Sequence, residues 1–249
     1  MLEVEDLVVT FGGLVAVDKV SFRTGDNEVL SIIGPNGAGK TTVFNAVSGF
    51  VAATAGRVSL NGRDITRKKP EDVARMGLVR TFQKRSFFPD LTVRQNILIG
   101  LRERAATRTR LSGRVNLDDE VDGIIELAGL RARPEEVAES LPYGEQRLLG
   151  VGIALTSHPK LMLLDEPCAG MNAVEVDRMI RLIEELRGRE LSIIVVEHQM
   201  RFVMGISNRV MVLDHGQKLT EGTPKEVREN PEVIQAYLGK GILEHGETA

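Results

Sequence analysis

The stretch SIIGPNGAGKTTV, Ser31 to Val43, decides the fold. Its centre, GPNGAGKT from Gly34 to Thr41, fits G-x-x-x-x-G-K-[ST] completely, and its flanks supply the context that this pattern requires. EVLSIIG, Glu28 to Gly34, reads as a buried strand, and Lys40 to Ser48 as a helix that starts directly after the turn. In such a turn, glycines let successive backbone N–H groups face a phosphate, Lys40 brings a point charge to the outer phosphates, and the helix start adds its positive dipole end. The Thr41 hydroxyl would bind Mg²⁺.

Hydrolysis needs acidic groups facing the same cleft, and LMLLDEP, Leu161 to Pro167, ends a second buried strand with Asp165 and Glu166. Asp165 would hold Mg²⁺ through water, and Glu166 would face the place where water attacks a terminal phosphate. Two further polar residues close apolar runs. Gln83 follows Leu78 to Phe82 with an amide able to reach Mg²⁺ and the attacking water, and His198 ends SIIVVEH (Ser192 to His198), where it can hydrogen-bond the γ-phosphate. Alone, either reads as a surface residue; their shared place at strand ends, where α/β folds put ligands, makes them candidates.

The chain of 249 residues suits one large or two small domains, and its net charge of −3 argues against general nucleic-acid binding. MLEVEDLVVTF lacks the pattern of a secretory signal, and the single cysteine, Cys168, forms no internal disulfide. The cytoplasm is the expected compartment. Apolar runs such as Ile193 to Val196 suit buried strands and are far too short to span a bilayer. A membrane role would therefore require an anchoring partner.

Runs at Val4 to Phe11, Lys19 to Arg23 and Arg57 to Leu60, the last ending in Asn61-Gly62, predict a small antiparallel sheet with a tight hairpin. From about Arg85 to Ser157 the pattern is helical, with Ile124, Ile125, Leu127 and Leu130 spaced for one face. An amphipathic helix around Val176 to Leu186 separates the last two buried strands, which indicates a parallel α/β sheet. Thr223 to Glu226 is a capping box with proline at the first helical position, Asn230-Pro231 starts another helix, and residues after Gly239 read as frayed. Arginines at 102, 104, 108, 110 and 114 read as a solvated loop, since no aromatics interleave with them.

These motifs, in this order, resemble the nucleotide-binding subunit of an ABC transporter. The resemblance spans nearly the whole chain: an aromatic base-stacking position at Phe11, the Walker A loop Gly34 to Thr42, the Q-loop at Gln83, a signature at Leu141 to Glu145, Walker B at Leu161 to Glu166, a D-loop around Ala169 to Asn172, and the switch His198. It implies a RecA-like P-loop NTPase core with a mainly parallel sheet, an antiparallel β-subdomain and an inserted α-helical subdomain. Residues 1–84 and 158–240 would form the core, 85–157 the helical lobe and 241–249 a tail.

The resemblance also implies that ATP binds with adenine on Phe11 and phosphates on Asn36, Gly37, Ala38, Gly39, Lys40, Thr41 and Thr42. Mg²⁺ would be held at Thr41, Gln83 and Asp165. Two such subunits pack head to tail, so SLPYGEQ, Ser140 to Gln146, would close over the partner's nucleotide through Pro142, Tyr143, Gly144 and Glu145, with Asn172 of the D-loop nearby. Physically, the amides of Tyr143, Gly144 and Glu145 and the following helix start form a second anion site; a helix cap alone is the plainer reading of Ser140. The commonest family signature is LSGGQ. Here Pro142 replaces the serine and its hydroxyl, Tyr143 the first glycine, Glu145 the glutamine, and Asn172 the usual D-loop aspartate.

LPYGEQR, DEPCAGMN and EGTPKEVRENPEVIQAYLG closely resemble the ATPase subunits of branched-chain amino-acid importers; similar subunits serve urea, amide and aromatic-acid importers. The implied partners are a homologous ATPase subunit, integral membrane permease subunits and, indirectly, a periplasmic or extracellular solute-binding protein, with no nucleic acid. The implied location is the cytoplasmic face of the inner or plasma membrane. Phe87 and Phe88, beside Pro89-Asp90, either meet the permease or pack into the helical lobe. A soluble ABC ATPase acting on ribosomes or DNA would usually carry two cassettes or a long coiled coil, a GTPase would want N-K-x-D, and a kinase an acceptor lobe; none is found in this sequence. Cys168 reads as a small buried filler.

Overall fold

The computed structural model describes residues 1–81, 86–107 and 116–238 of the chain. In chain order, β1 (Leu2–Phe11), β2 (Leu14–Thr24) and β3 (Val29–Ile33) lead into α1 (Lys40–Val47), followed by β4 (Ala55–Leu60), β5 (Arg63–Asp64), α2 (Pro70–Arg75) and β6 (Leu78–Arg80). Helices α3 (Val93–Thr107), α4 (Leu117–Leu127) and α5 (Tyr143–Leu155) come next. The last part holds β7 (Leu161–Asp165), α6 (Ala173–Gly188), β8 (Ser192–Val196), α7 (Met200–Ile206), β9 (Arg209–Asp214), β10 (Gln217–Gly222), α8 (Pro224–Glu229) and α9 (Pro231–Leu238).

Two sheets result. The first, in the order β2-β1-β4-β5, is antiparallel throughout. Its predicted hairpin joins β4 to β5 with Asn61 and Gly62 at φ 50° and 73°, the left-handed pair that a two-residue turn requires. The second runs β10-β9-β3-β8-β7-β6 and is parallel from β9 to β6, with β10 antiparallel at one edge.

Strands β3, β7 and β8 are buried at every position because apolar layers cover both faces of that sheet. Alternation sorts their side chains. Leu161, Leu163, Ile194 and Val196 face α1 and the antiparallel sheet, whereas Met162, Leu164, Ile193 and Val195 face α6 and α7.

The three middle helices build a separate cluster around Val93, Ile97, Ile124, Ile125 and Leu149. The single-face reading of Leu127 and Leu130 needs correction: Gly129, at φ 70°, lies just past the end of α4, so Leu130 stands beyond the helix while Leu127 leans against the cluster of α6. Phe87 packs on the middle-helix cluster, but Phe88 is 55% exposed. Buried Asn96 fixes this turn, accepting from Phe88 N at 2.7 Å and donating to the carbonyls of Phe88, Leu91 and Thr92.

The capping box at Thr223 and Glu226 starts α8 as expected. Arg108, Arg110 and Arg114 of the arginine group, and residues 239–249, lie outside the described residues. Among the described residues no helix is long and apolar enough to cross a membrane.

Candidate functional site

Spatial order within the large sheet makes the site. Strands β3, β8, β7 and β6 lie side by side and parallel, so their C-terminal ends share one edge. That edge carries the glycine loop after β3, Glu197 and His198 after β8, Asp165 and Glu166 at the end of β7, and the approach to Gln83 after β6. Gln83 itself lies outside the described residues.

The loop from Gly34 to Gly39 is shaped by close backbone approach. A Cβ at Gly34 (φ 150°) would stand 2.1 Å from the Leu213 carbonyl oxygen, and one at Gly39 (φ 96°) 2.6 Å from that of Ala16. Gly37, at φ 83°, faces open space instead. Among the described residues the amides of Gly37 and Gly39 make no hydrogen bond within the chain, so they remain available to an anion. Lys40 Nζ donates to the Gly34 and Pro35 carbonyls at 2.7 and 2.9 Å, which holds the ammonium over the loop. Ala38 is buried beneath the loop, whereas Asn36 and Thr41 are exposed and Thr42 is half-buried. Phe11, at the end of β1, is half exposed, which suits a stacking surface. The same hairpin abuts the loop through Ala16, and Asp18 N donates to Gly216 O at 2.8 Å.

Asp165 is buried and paired: its Oδ2 accepts from Arg80 Nη2 at 2.7 Å. Its Oδ1 is also buried and has no hydrogen-bond partner, which fits a carboxylate intended for a metal-held water. Among the described residues no group of three His, Cys, Asp or Glu side chains could hold a metal ion. Glu166 adopts φ 47°, a left-handed conformation that glutamate rarely takes, while its N–H donates to Val196 O at 2.9 Å. This kink turns the chain off β7 directly after Asp165.

Glu197 is the residue that sequence reading missed. It is buried at the end of β8, where Oε1 accepts from Cys168 N at 2.9 Å and Oε2 from His198 N and Gln199 N at 2.8 and 3.2 Å. One carboxylate thus ties the segment after β7 to the segment that presents His198, whose ring is 64% exposed. Its only sequence signal is an acid directly after an apolar strand. Burial, followed by the Glu197 charge, pushes the Cys168 thiol far up, which keeps it protonated and inert as the filler reading expects.

SLPYGEQ does not cap α5 with a side chain. Pro142 occupies the cap position, and Ser140 Oγ turns back to Val137 O at 2.7 Å, which removes the capping role considered for it. Tyr143 lies against Gly170, where an added Cβ would be 3.1 Å from the ring, and its face receives Arg147. Gly144 N donates to Glu175 Oε1 at 3.3 Å, and the Glu145 carboxylate is held by Arg133 and Arg178 at 3.0 and 3.2 Å. Asn172 caps α6 in a full capping box with Glu175, so asparagine does there what aspartate would do. The signature and D-loop segments are therefore fastened to each other within this chain.

Comparison with known proteins agrees with this geometry. Residues 17–169 match the family described as ABC transporter, and residues 217–242 that described as branched-chain amino acid ATP-binding cassette transporter. The chain is 40% identical to the high-affinity branched-chain amino acid transport ATP-binding protein LivG of Salmonella typhimurium, covering 96% of this chain and 98% of that one. It is 38% identical to the corresponding protein BraF of Pseudomonas aeruginosa, over 96% and 98% of the two chains. A crystal structure of an ATP-binding cassette of an ABC transporter, in its ADP conformation, superposes with a TM-score of 0.86 at 30% identity, covering 96% of this chain and 99% of that one. The chain belongs to the ABC transporter family, as one of its nucleotide-binding ATPase cassettes.

Proposed function

We propose that this chain hydrolyses ATP to drive an importer of branched-chain amino acids through a separate membrane permease. The observation that carries the ATPase chemistry is the shared strand edge, which gathers the Lys40 loop, Asp165, Glu166 and His198. The amino-acid class is supported by the match at residues 217–242 and by the relatives' transport of branched-chain amino acids.

In this reading Phe11 stacks on adenine, and Lys40 leaves the Gly34 and Pro35 carbonyls for the outer phosphates. The amides from Asn36 to Thr42 cradle the phosphate chain around the small Ala38. Thr41, Asp165 and Gln83 would hold Mg²⁺, which when bound neutralises charge on the phosphate oxygens. Glu166 takes a proton from the attacking water, and His198 hydrogen-bonds the γ-phosphate.

Two subunits meet head to tail, so that Pro142, Tyr143, Gly144 and Glu145 of one approach the nucleotide of the other. Pro142 offers no hydroxyl and the Glu145 side chain is engaged by arginines, so backbone amides carry that contact. Gly144 N must exchange Glu175 for phosphate, and Asn172 travels with it through the shared cap. Residues 1–84 and 158–240 act as core, 85–157 as the lobe that swings with the permease, and 241–249 as a tail. The partners are a homologous ATPase subunit, permease subunits that hold this chain at the cytoplasmic face of the membrane, and indirectly a solute-binding protein.

The test is uptake of labelled leucine in cells deleted for this chain. Restoration by the wild-type chain, but not by Lys40→Ala, is expected. Leucine, isoleucine and valine uptake indifferent to the deletion would overturn the amino-acid assignment while leaving the ATPase chemistry in place.

A further inference from the structure

Arg80 stands at the end of β6, and its side chain is 7% exposed. Burying a guanidinium is costly unless it is paired, and here its two terminal nitrogens face two elements at once. Nη2 donates to Asp165 Oδ2 at 2.7 Å, at the end of β7. Nη1 donates to Asn45 Oδ1 at 2.6 Å and reaches Ser48 Oγ at 3.3 Å, on and just beyond α1. The rings of Phe44 and Phe50 flank the cation at 5.6 and 5.8 Å.

The helix that Arg80 grips is the one that begins with Lys40 and Thr41. The carboxylate that it grips leaves Oδ1 buried and without a partner. Because a guanidinium is planar and rigid, its two bonds fix the rotation of the Asp165 carboxylate and the separation of β7 from α1 together.

We infer that Arg80 is a positioning residue for the metal site: it holds Asp165 from behind so that Oδ1 stands at a set distance from the Thr41 hydroxyl. The inference rests on the reading that ATP and Mg²⁺ bind at this edge. Arg80 also lies at the end of the strand that leads to Gln83, so one side chain joins the metal carboxylate to the approach of the Q-loop. A lysine carries the same charge but not the planar fork, so charge and geometry can be separated by experiment.

The experiment measures Mn²⁺ binding to the full chain by electron paramagnetic resonance, at a saturating concentration of adenylyl imidodiphosphate. Affinity for the same analogue is measured separately in EDTA. Arg80→Gln and Arg80→Lys should each weaken Mn²⁺ binding by about tenfold while changing the EDTA affinity by less than about twofold, as loss of an outer partner does. Asn45→Ala, which removes the fork's second anchor, should shift Mn²⁺ affinity the same way by a smaller factor. If Arg80→Gln does not fold, Arg80→Lys and Asn45→Ala decide the question.

Unchanged Mn²⁺ affinity in the variants, or an equal loss in EDTA, overturns the positioning role. In the second case the arginine is only a weld between α1 and β7. Wild-type chain that binds the analogue but takes up no Mn²⁺, or binds neither, overturns the underlying nucleotide–metal reading together with it.

Discussion

Removing the Glu197 carboxylate should loosen the site without touching nucleotide. Three backbone N–H groups end on it, from Cys168, His198 and Gln199. Glutamine keeps one accepting oxygen, so it can serve the His198 and Gln199 pair or Cys168, but not both, and its NH₂ then faces a stranded donor. One buried donor left unmade costs about 1–3 kcal/mol, and alanine strands all three, which puts its cost at about 4–6 kcal/mol after partial relaxation. For a chain of this size each kcal/mol lowers Tm by about 2–4 °C, so Glu197→Gln should fall by about 6 °C and Glu197→Ala by about 15 °C. Differential scanning calorimetry reads the loss, and steady-state ATPase at a temperature where each variant is folded reads the chemistry. The His198 segment loses its tie to the segment after Glu166, so kcat should drop about tenfold in Glu197→Gln with little change in KM. A Glu197→Gln protein that melts within about 1 °C of wild type at unchanged kcat would refute the tie, because a stranded buried donor cannot be that cheap.

Other outcomes follow from the same contacts. Gly34→Ala forces a Cβ to 2.1 Å from the Leu213 carbonyl and should give no soluble folded protein, whereas Gly37→Ala meets open space and should fold at a cost of about 1–2 kcal/mol for its left-handed φ. Isothermal titration with ATP should show Gly37→Ala weakened. Asn172→Ala removes the cap of α6 and should cost about 1 kcal/mol in urea unfolding, while Asn172→Asp should be nearly neutral. Cys168 is buried with its thiol pKa driven up, so the reactive thiolate is scarce even at alkaline pH. Iodoacetamide at pH 8 should leave native protein unlabelled and modify it fully in urea, as read by mass spectrometry.

The parts of this fold visible in the sequence are those in which neighbouring residues act together. The glycine loop, the apolar strands before Asp165 and His198, the Asn61-Gly62 turn and the Thr223 capping box are each local patterns, and each fell where expected. What escaped reading depends on residues far apart in the chain. Arg80 and Asp165 are 85 positions apart, and nothing near Arg80 announces a buried cation among strand residues. Glu197 looks like a polar strand exit until Cys168 N is found against it, 29 positions away. SLPYGEQ is intermediate: its polar detail was plain, but its bonds to Glu175 and Arg178 required the packing of α5 on α6, and its bond to Arg133 the course of the segment between α4 and α5. The fate of Phe87 and Phe88, one inward and one outward, is likewise settled by Asn96 and not by hydrophobicity.

The most direct test of the account is to purify the Glu166→Gln chain from native membranes in ATP and identify what accompanies it. With Glu166 replaced, the subunit should stay closed on ATP, and a polytopic permease and a second, homologous ATPase should co-purify. Recovery of ribosomes or DNA with no permease, or ATP turnover at the wild-type rate in that variant, would contradict it.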